Sequence, residues 1–272
     1  MLLGAAEPRI PWAAMTQTHE DSPLPSQFYS GLVADLYDAL VAESARADQY
    51  TPFLDWCGTP ALELACGSGS PLIELLERGY HVEGLDSSRD MLDLCRSRSA
   101  ERGLAPELHL GLMQSFRLPR RYRSIFLAGA SFTLLTSDKD AAAALTNIHD
   151  HLEPGGHALI PIERLIPDEI RPSIGRYREA TDSSGARLRF AMLSLDVHAD
   201  GRSASLRLRY ERIPVAGKVM SLERNWERRW WSQAQFRDLL LDAQFAEVTF
   251  LGESGSMAAP DAPVFVVLAR KD

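Results

Sequence analysis

The chain has 272 residues, of which 45% are hydrophobic and 24% charged, and its formal net charge at pH 7 is −8. The negative balance argues against general nucleic-acid binding, and the sequence has no run of about 18 apolar residues that would span a membrane. The three cysteines lack metal-ligand spacing, so the sequence predicts neither a disulfide framework nor a metal site and fits a reducing, cytoplasmic compartment.

The first part of the chain divides into a leader, a helical stretch and a regular alternation. Residues 1–26 contain four prolines and no steady periodicity, which predicts a mobile leader. Apolar residues then recur at helical spacing within residues 27–56. The predicted strands that follow are Ala61–Ala65, His81–Leu85, Glu107–Leu110, Ser124–Gly129 and His157–Ile162. Predicted helices run from Pro71, capped by Ser70, to Gly79, from Ser87 or Ser88 to Arg102, and from Asp138 to Leu152. This alternation predicts a parallel sheet with helices on both faces.

The alternation breaks after the fifth strand. Within residues 186–213, apolar residues alternate with arginines on either side of the turn Ala199–Arg202, which predicts an antiparallel hairpin. A third strand is predicted from Val219 to Trp230. A helix follows Ser232, which forms a capping box with Gln235. The last predicted strands are Ala246–Leu251 and Pro263–Ala269.

A glycine-rich turn, Cys66–Gly69, follows the first strand at its carboxyl end, where open parallel sheets bind their ligands. Glycines there let the backbone approach a ligand closely. Asp86 ends the second strand and can accept hydrogen bonds from both ribose hydroxyls of a nucleoside. A nicotinamide-dependent oxidoreductase would place an acid in the same way, but the position of its third glycine holds Leu72 here. Calorimetry would test this alternative, because a nicotinamide-dependent oxidoreductase would bind NAD.

Three segments resemble motifs of class I S-adenosylmethionine-dependent methyltransferases: Leu62–Gly69, His81–Leu92 and His151–Gly156. The sequence is similar to the small-molecule branch that contains glycine-type and deoxysugar N-methyltransferases. The resemblance implies an α/β fold, with a Rossmann-like seven-stranded methyltransferase sheet and an antiparallel β insertion after strand five. It also implies that residues 27–162 and 230–272 form the domain that binds the cofactor, S-adenosylmethionine, and that residues 163–229 cover the acceptor site.

The resemblance also implies which residues contact the cofactor. The methionine portion would meet Glu63, Ala65, Cys66, Gly67, Ser68 and Gly69; the ribose would meet Asp86; the adenine would meet Ser87, Met91, Met113, Gln114 and Ser115. Ala130 and Ser131 would face the reacting sulfonium, and Tyr29 and Tyr37 would close over the cofactor. Two positions depart from the family pattern. Leu112 stands where an aspartate is usual at the adenine edge, and Gln244 stands where a glycine with positive φ is usual.

The acceptor site is less clearly marked. Candidates for a general base or an acceptor contact are Glu163, Tyr177 and Tyr210, and Glu163 ranks first because strand ends line the cleft. Residues 164–229 hold 14 Lys or Arg and nine Asp or Glu. This basic insertion is either a solvated or subunit-contacting face, as in a homodimer, or the binding site of an acceptor that bears a carboxylate or phosphate.

The expected function is methyl transfer to nitrogen, oxygen or carbon of a small molecule, in secondary metabolism. The alternative is a noncatalytic, regulatory protein that binds S-adenosylmethionine on the same fold.

Overall fold

The structure, a computed structural model, describes residues 28–40, 46–252 and 255–272. The predicted leader, residues 1–26, lies outside the described residues. The helices are α1 (Leu32–Leu40), α2 (Thr51–Cys57), α3 (Leu72–Glu77), α4 (Arg89–Ala100), α5 (Asp138–His151), α6 (Pro167–Ile170) and α7 (Gln233–Asp242). The strands are β1 (Ala61–Leu64), β2 (Val82–Asp86), β3 (Leu108–Leu110), β4 (Tyr122–Leu127), β5 (Leu152–Glu163), β6 (Tyr177–Thr181), β7 (Arg187–Val197), β8 (Ser203–Ile213), β9 (Met220–Arg229), β10 (Glu247–Leu251) and β11 (Val264–Arg270). Among the described helices, none has the length and apolar character that crossing a membrane requires.

A seven-stranded sheet has the order β10-β11-β5-β4-β1-β2-β3. Strands β1 to β5 pair in parallel, and β11 runs antiparallel to both of its neighbours. The chain passes from β1 to β2 and β3 on one side and places β4 and β5 on the other. This reversal leaves a cleft at the carboxyl ends of β1 and β4. The predicted Rossmann-like α/β fold with an antiparallel insertion is therefore confirmed.

Helices cover both faces of the sheet because its central strands are apolar on both sides. In β1, Leu62 and Leu64 join the core beneath α5 and α7, where Leu145 and Phe236 are fully buried. Ala61 faces the other layer, against α2, α3 and α4. Fully burying a leucine or phenylalanine side chain contributes about 1.5–3 kcal/mol. Parallel strands that are buried on both faces are typical of such α/β sheets.

The predicted helix starts are confirmed at two helices and wrong at a third. Ser88 caps α4, and Ser232 forms the predicted capping box with Gln235 at the start of α7. Ser70, in contrast, does not cap α3. The glycine turn extends through Pro71, which itself occupies the N-cap position without a side-chain hydrogen bond.

The structure also moves some strand boundaries. β4 begins at Tyr122 and β5 at Leu152, and these two residues pair ahead of a bulge in the ladder. The sequence predicted a later start for β5, because Pro154–Gly156 are residues typical of a turn. The predicted hairpin and third strand of the insertion are confirmed as β7, β8 and β9. A further strand, β6, was not predicted because its sequence lacks an apolar alternation.

Strands β6 to β9 form a four-stranded antiparallel sheet, here called the insertion sheet. Its inner face carries Leu206, Leu208 and Tyr210, which pack in one cluster with Val33 and Leu36 of α1. Its outer face carries the alternate residues of the same strands, many of them charged. The first helix is therefore held between the insertion sheet and the rest of the chain.

A charged contact anchors the insertion sheet to the seven-stranded domain. Asp138, the first residue of α5, accepts hydrogen bonds from Nε and Nη2 of Arg229 at 3.0 and 2.9 Å. It also accepts one from Nε1 of Trp231 at 2.9 Å. The Arg229 guanidinium and the Trp231 indole lower the pKa of Asp138 to about 2. A carboxylate in the first turn of a helix is also favoured by the helix dipole.

The substitution Asp138→Asn tests this anchor. We expect it to lower the free energy of unfolding at pH 7 by about 1 kcal/mol, a modest value because the carboxylate is 47% exposed and partly screened. Folding depresses the pKa of Asp138, so its contribution is present above about pH 4 and is lost as the pH falls toward 2. Urea denaturation followed by circular dichroism should show the two proteins converging over that range.

The matched control is Asp150→Asn on the same helix, where the carboxylate is 66% exposed and should contribute little. An Asp138→Asn protein as stable as the parent at pH 7 would contradict the anchoring role.

Candidate active site

A cavity opens at the carboxyl ends of β1, β2 and β4. Nine of the predicted cofactor residues line it: Tyr29, Tyr37, Ala65, Gly67, Asp86, Ser87, Met91, Met113 and Gln114. Six others, Glu63, Cys66, Ser68, Gly69, Ser115 and Ala130, are not among the lining residues. The structure thus brings together the glycine turn, the end of β2 and the segment after β3.

The glycine turn needs its glycines for two different reasons. Gly67 has φ of +54° and donates its N–H to Oδ2 of Asp86 at 2.8 Å. Gly69 has φ of +95°, and a Cβ there would lie 2.7 Å from Sγ of Cys95. Gly67 therefore shapes the cavity wall, whereas Gly69 permits the close packing of the turn on α4. Ala65 also lies in the left-handed region, at φ +55°, which is a strained conformation for alanine.

Asp86 is the buried acid of the cavity. Its Oδ2 accepts the N–H of Gly67 and its Oδ1 accepts the N–H of Ser88, both at 2.8 Å. Burial raises the pKa of the carboxyl group, while the hydrogen bonds from Ser88 and Gly67 oppose that rise. Each carboxylate oxygen has more than one lone pair, so both can still accept a further hydrogen bond from a ligand.

Three of the six residues outside the lining, Glu63, Cys66 and Ser68, are buried. Cys66 is buried in the core, where a Cβ on Gly84 would come within 2.8 Å of its Sγ. Ser68 donates its hydroxyl to Oδ1 of Asp38 at 2.6 Å. Glu63 is fully buried, and neither of its carboxylate oxygens has a hydrogen-bond partner among the described residues. Burial and nearby Asp86 raise the pKa of Glu63 well above its usual range.

Tyr29 and Tyr37 close one side of the cavity, and their rings meet edge to face at 5.4 Å. Three contacts hold α1 in this place. The Ser88 hydroxyl donates to the carbonyl oxygen of Tyr29, the N–H of Gly31 donates to Oδ2 of Asp90 at 2.7 Å, and Ser68 binds Asp38 as described above. Burial raises the pKa of both tyrosines, so both stay protonated and can act as hydrogen-bond donors.

The far end of the cavity contains residues that were not predicted. Leu134, Leu135 and Thr136 lie in the segment between β4 and α5, next to the predicted Ser131, and Asp140 lies in the first turn of α5. Leu112 also lines the cavity, so the position that departs from the family pattern presents an apolar side chain to it. Asp140 brings a carboxylate to the same cavity from a different element. The sequence signal for Leu134, Leu135 and Thr136 was their position in the loop after β4, because such loops line the cleft of a parallel sheet.

The three catalytic candidates lie in different places. Glu163 is the last residue of β5, at the same carboxyl edge, and its Oε2 lies 3.5 Å from Nη2 of Arg228. Tyr210 is buried on the inner face of the insertion sheet. Tyr177 is on the outer face, where the Arg189 guanidinium lies 3.7 Å from the centre of its ring. That placement corrects the expectation for Tyr177, because side chains alternate along a strand and this one points away from the cleft.

One cluster in the described residues has metal-type side chains, namely Glu83, Glu107 and His109. It lies away from the cavity. The buried carboxylate of Glu83 already binds the Tyr122 hydroxyl at 2.6 Å, His109 at 2.8 Å and Arg120 at 2.8 Å. These contacts satisfy Glu83 within the protein itself.

Comparison with known proteins agrees with this geometry. Residues 61–156 match a family model described as a methyltransferase domain. The chain is 31% identical over 145 residues to a dTDP-3-amino-3,6-dideoxy-alpha-D-glucopyranose N,N-dimethyltransferase of Streptomyces fradiae, a match that covers 50% of this chain and 55% of that protein. It is 26% identical over 219 residues to the cypemycin N-terminal methyltransferase of a Streptomyces species, covering 79% and 84% of the two chains.

The match with the sugar dimethyltransferase spans about half the length of that relative. Among solved structures, the sugar N-methyltransferase KedS8 from a Streptoalloteichus species superposes with a TM-score of 0.64 and covers 99% of each chain at 17% identity, which shows a common fold. Residues 61–156 therefore carry a methyltransferase domain.

The substitution Asp86→Asn tests the cofactor role of the cavity. An amide offers one accepting oxygen in place of two, and its NH₂ group would face a backbone N–H. We expect the affinity for S-adenosylhomocysteine to fall by about 10- to 100-fold, as for loss of a charged hydrogen bond. Isothermal titration calorimetry measures this.

Asp93→Asn, an exposed change on α4, is the control and should leave binding unchanged. Equal affinities for the parent protein and Asp86→Asn would exclude Asp86 from the cofactor site.

Proposed function

We propose that this protein transfers the methyl group of S-adenosylmethionine to an amine nitrogen of a small molecule. The observation that carries the proposal is the position of the cavity. It lies at the carboxyl ends of β1 and β4, Tyr29 and Tyr37 line its α1 side, and the inner face of the insertion sheet packs on α1. Such an arrangement aligns two small reactants and excludes water, which is the main task of the protein in a methyl transfer.

The residues present fit the cofactor. Asp86 offers two partly free carboxylate oxygens to a ribose, and Met91, Met113 and Leu134 offer apolar contact to a nucleobase. When bound, S-adenosylmethionine supplies a methyl group on a sulfonium, whose departure leaves a neutral thioether. The chain's own contribution is therefore positioning and the handling of one proton on the acceptor.

The groups near the cavity favour nitrogen as the methylated atom. Burial raises the pKa of Tyr29 and Tyr37, and also that of Tyr210 on the inner face of the insertion sheet. These hydroxyls stay protonated at neutral pH and cannot serve as bases. The described cavity lining includes no histidine and no lysine. A hydroxyl or carbon acceptor would need a strong base, whereas an amine needs one only to lose its ammonium proton.

Glu163 is the proposed proton acceptor. Glu163 is the last residue of β5, and the neighbouring strand β4 ends at the cavity. The Glu163 side chain is 49% exposed, so a proton that it accepts can pass to solvent. The two Streptomyces relatives support the same choice of atom, since their names describe methylation of an amino sugar and of a peptide N-terminus. A role in secondary metabolism is part of this proposal.

The direct test is formation of S-adenosylhomocysteine with a panel of small acceptors. Primary amines, alcohols and active methylene compounds of matched size would be incubated with S-adenosylmethionine, and product formation followed by mass spectrometry. We expect turnover with amines. Turnover with alcohols alone would overturn the assignment of nitrogen. Cofactor binding without turnover on any acceptor would favour the noncatalytic alternative.

The substitution Glu163→Gln tests the proton step. At pH 7 we expect kcat/KM to fall by about 100-fold, a usual contribution of a general base. The loss should shrink as the pH rises toward the pKa of the acceptor ammonium, because a free amine needs no base. Steady-state kinetics across pH measure this.

Glu179→Gln, on the outer face of the insertion sheet, is the matched control and should show the parent's profile. A pH-independent loss in Glu163→Gln would contradict a role as base.

A further inference from the structure

The arginines of the insertion sheet fall into two groups that the sequence did not separate. Three arginines on the outer face are neutralised by nearby acids: Arg189 pairs with Glu179 and Glu211, and Arg207 and Arg209 pair with Glu223. Arg212, near the end of β8, pairs with Asp182. The outer-face group forms a solvated, charge-balanced face. It does not account for the arginines on the other side of the same strands.

The inner face of β9 carries a row of buried nitrogen donors. Arg224, Trp226 and Arg228 occupy alternate positions and therefore share this face. The Nε of Arg224, the Nε1 of Trp226, and the Nε and Nη2 of Arg228 are buried and have no hydrogen-bond partner among the described residues. Leaving several charged donors buried and unpaired is costly, so a row of them indicates a ligand with accepting oxygens.

Arg228 is the most deeply buried arginine of this row. The residue is only 5% exposed, and its guanidinium lies 4.7 Å from the centre of the Trp226 ring. Among the described residues, Arg228 forms an ion pair with Glu163, in which Nη2 lies 3.5 Å from Oε2. Burial lowers the pKa of the Arg228 guanidinium. A single distant carboxylate does not satisfy a buried guanidinium, which has five N–H donors.

The position of Arg228 relates it to the reaction. The charge of Arg228 acts on Tyr29, which lines the cofactor cavity. Strand β9 also packs against the segment Ala130–Leu134 that follows β4. The row of donors therefore borders the space between the cofactor cavity, the end of β5 and the insertion sheet.

We propose that Arg228, with the adjacent N–H groups of Trp226 and Arg224, binds a carboxylate or phosphate group of the methyl acceptor. The proposal rests on the proposed function, in which this space holds the acceptor. A planar guanidinium recognises either oxyanion with two parallel hydrogen bonds. Glu163 would then face the amine of the same molecule, so the acceptor is an amine that also carries an anionic group.

The first test measures anion binding without any acceptor. Protein saturated with S-adenosylhomocysteine is titrated with sodium acetate or inorganic phosphate at constant ionic strength, and the thermal midpoint is followed. The parent should show a saturable rise with at least one of the two anions, and the stronger one identifies the class. In Arg228→Met the apparent affinity should weaken by at least about tenfold. Arg207→Met, on the outer face, should bind like the parent.

A second variant distinguishes a specific effect on anion binding from misfolding. Glu163→Gln removes the carboxylate that competes for Arg228, so its anion affinity should increase several-fold, a direction that structural damage would not produce. S-adenosylhomocysteine affinity should stay unchanged in all three variants. The proposal is overturned if the parent shows no saturable response, if Arg228→Met keeps it, or if Glu163→Gln weakens it.

The acceptor itself provides the last measurement. Amines of matched size, with and without a carboxylate or phosphate, are compared as substrates. The parent should prefer the anionic amines in kcat/KM by at least about tenfold, and Arg228→Met should lose this preference while still methylating neutral amines. Absence of turnover with every amine would refute the proposed function, whereas equal use of charged and neutral amines would refute only the role of Arg228.

Discussion

The hydrogen bond between the N–H of Gly67 and the carboxylate of Asp86 is the contact on which the rest of the site depends. It joins the turn after β1 to the end of β2, the two strands beside the point where the sheet reverses direction. The turn then continues through Gly69. Because Gly69 has no side chain, the turn packs directly against Cys95. The cavity wall and the start of α4 follow from that packing.

The insertion sheet uses the alternation of strand side chains to separate two kinds of charge. On its outer face, arginines pair with acidic residues and are exposed to solvent. On its inner face, apolar residues lie beside a few buried N–H donors. Arg228 and Arg229 are adjacent in sequence yet serve opposite faces. Arg229 anchors the sheet to Asp138, and Arg228 points to the space beside Glu163. A one-residue shift in the register of β9 would exchange these roles.

Helix α1 couples the two parts of the protein. Its apolar side packs on the insertion sheet through Val33 and Leu36, and Tyr37 faces the cavity together with Tyr29 just before the helix. Polar contacts from Ser68, Ser88 and Asp90 of the seven-stranded domain hold it there. The same segment is therefore both a wall of the cavity and a support for the insertion sheet.

The sequence by itself determined the fold class, the glycine turn, Asp86 and the hairpin, because these depend on local periodicity, backbone freedom and a motif of fixed spacing. It also foresaw the positive φ at Gln244, which is +68°. Only the tertiary structure decided which residues of the turn line the cavity, that Asp140 also lines it, that Tyr177 faces outward, and which arginines are paired. These outcomes depend on strand register and on contacts between segments far apart in the chain, and local sequence patterns do not encode either.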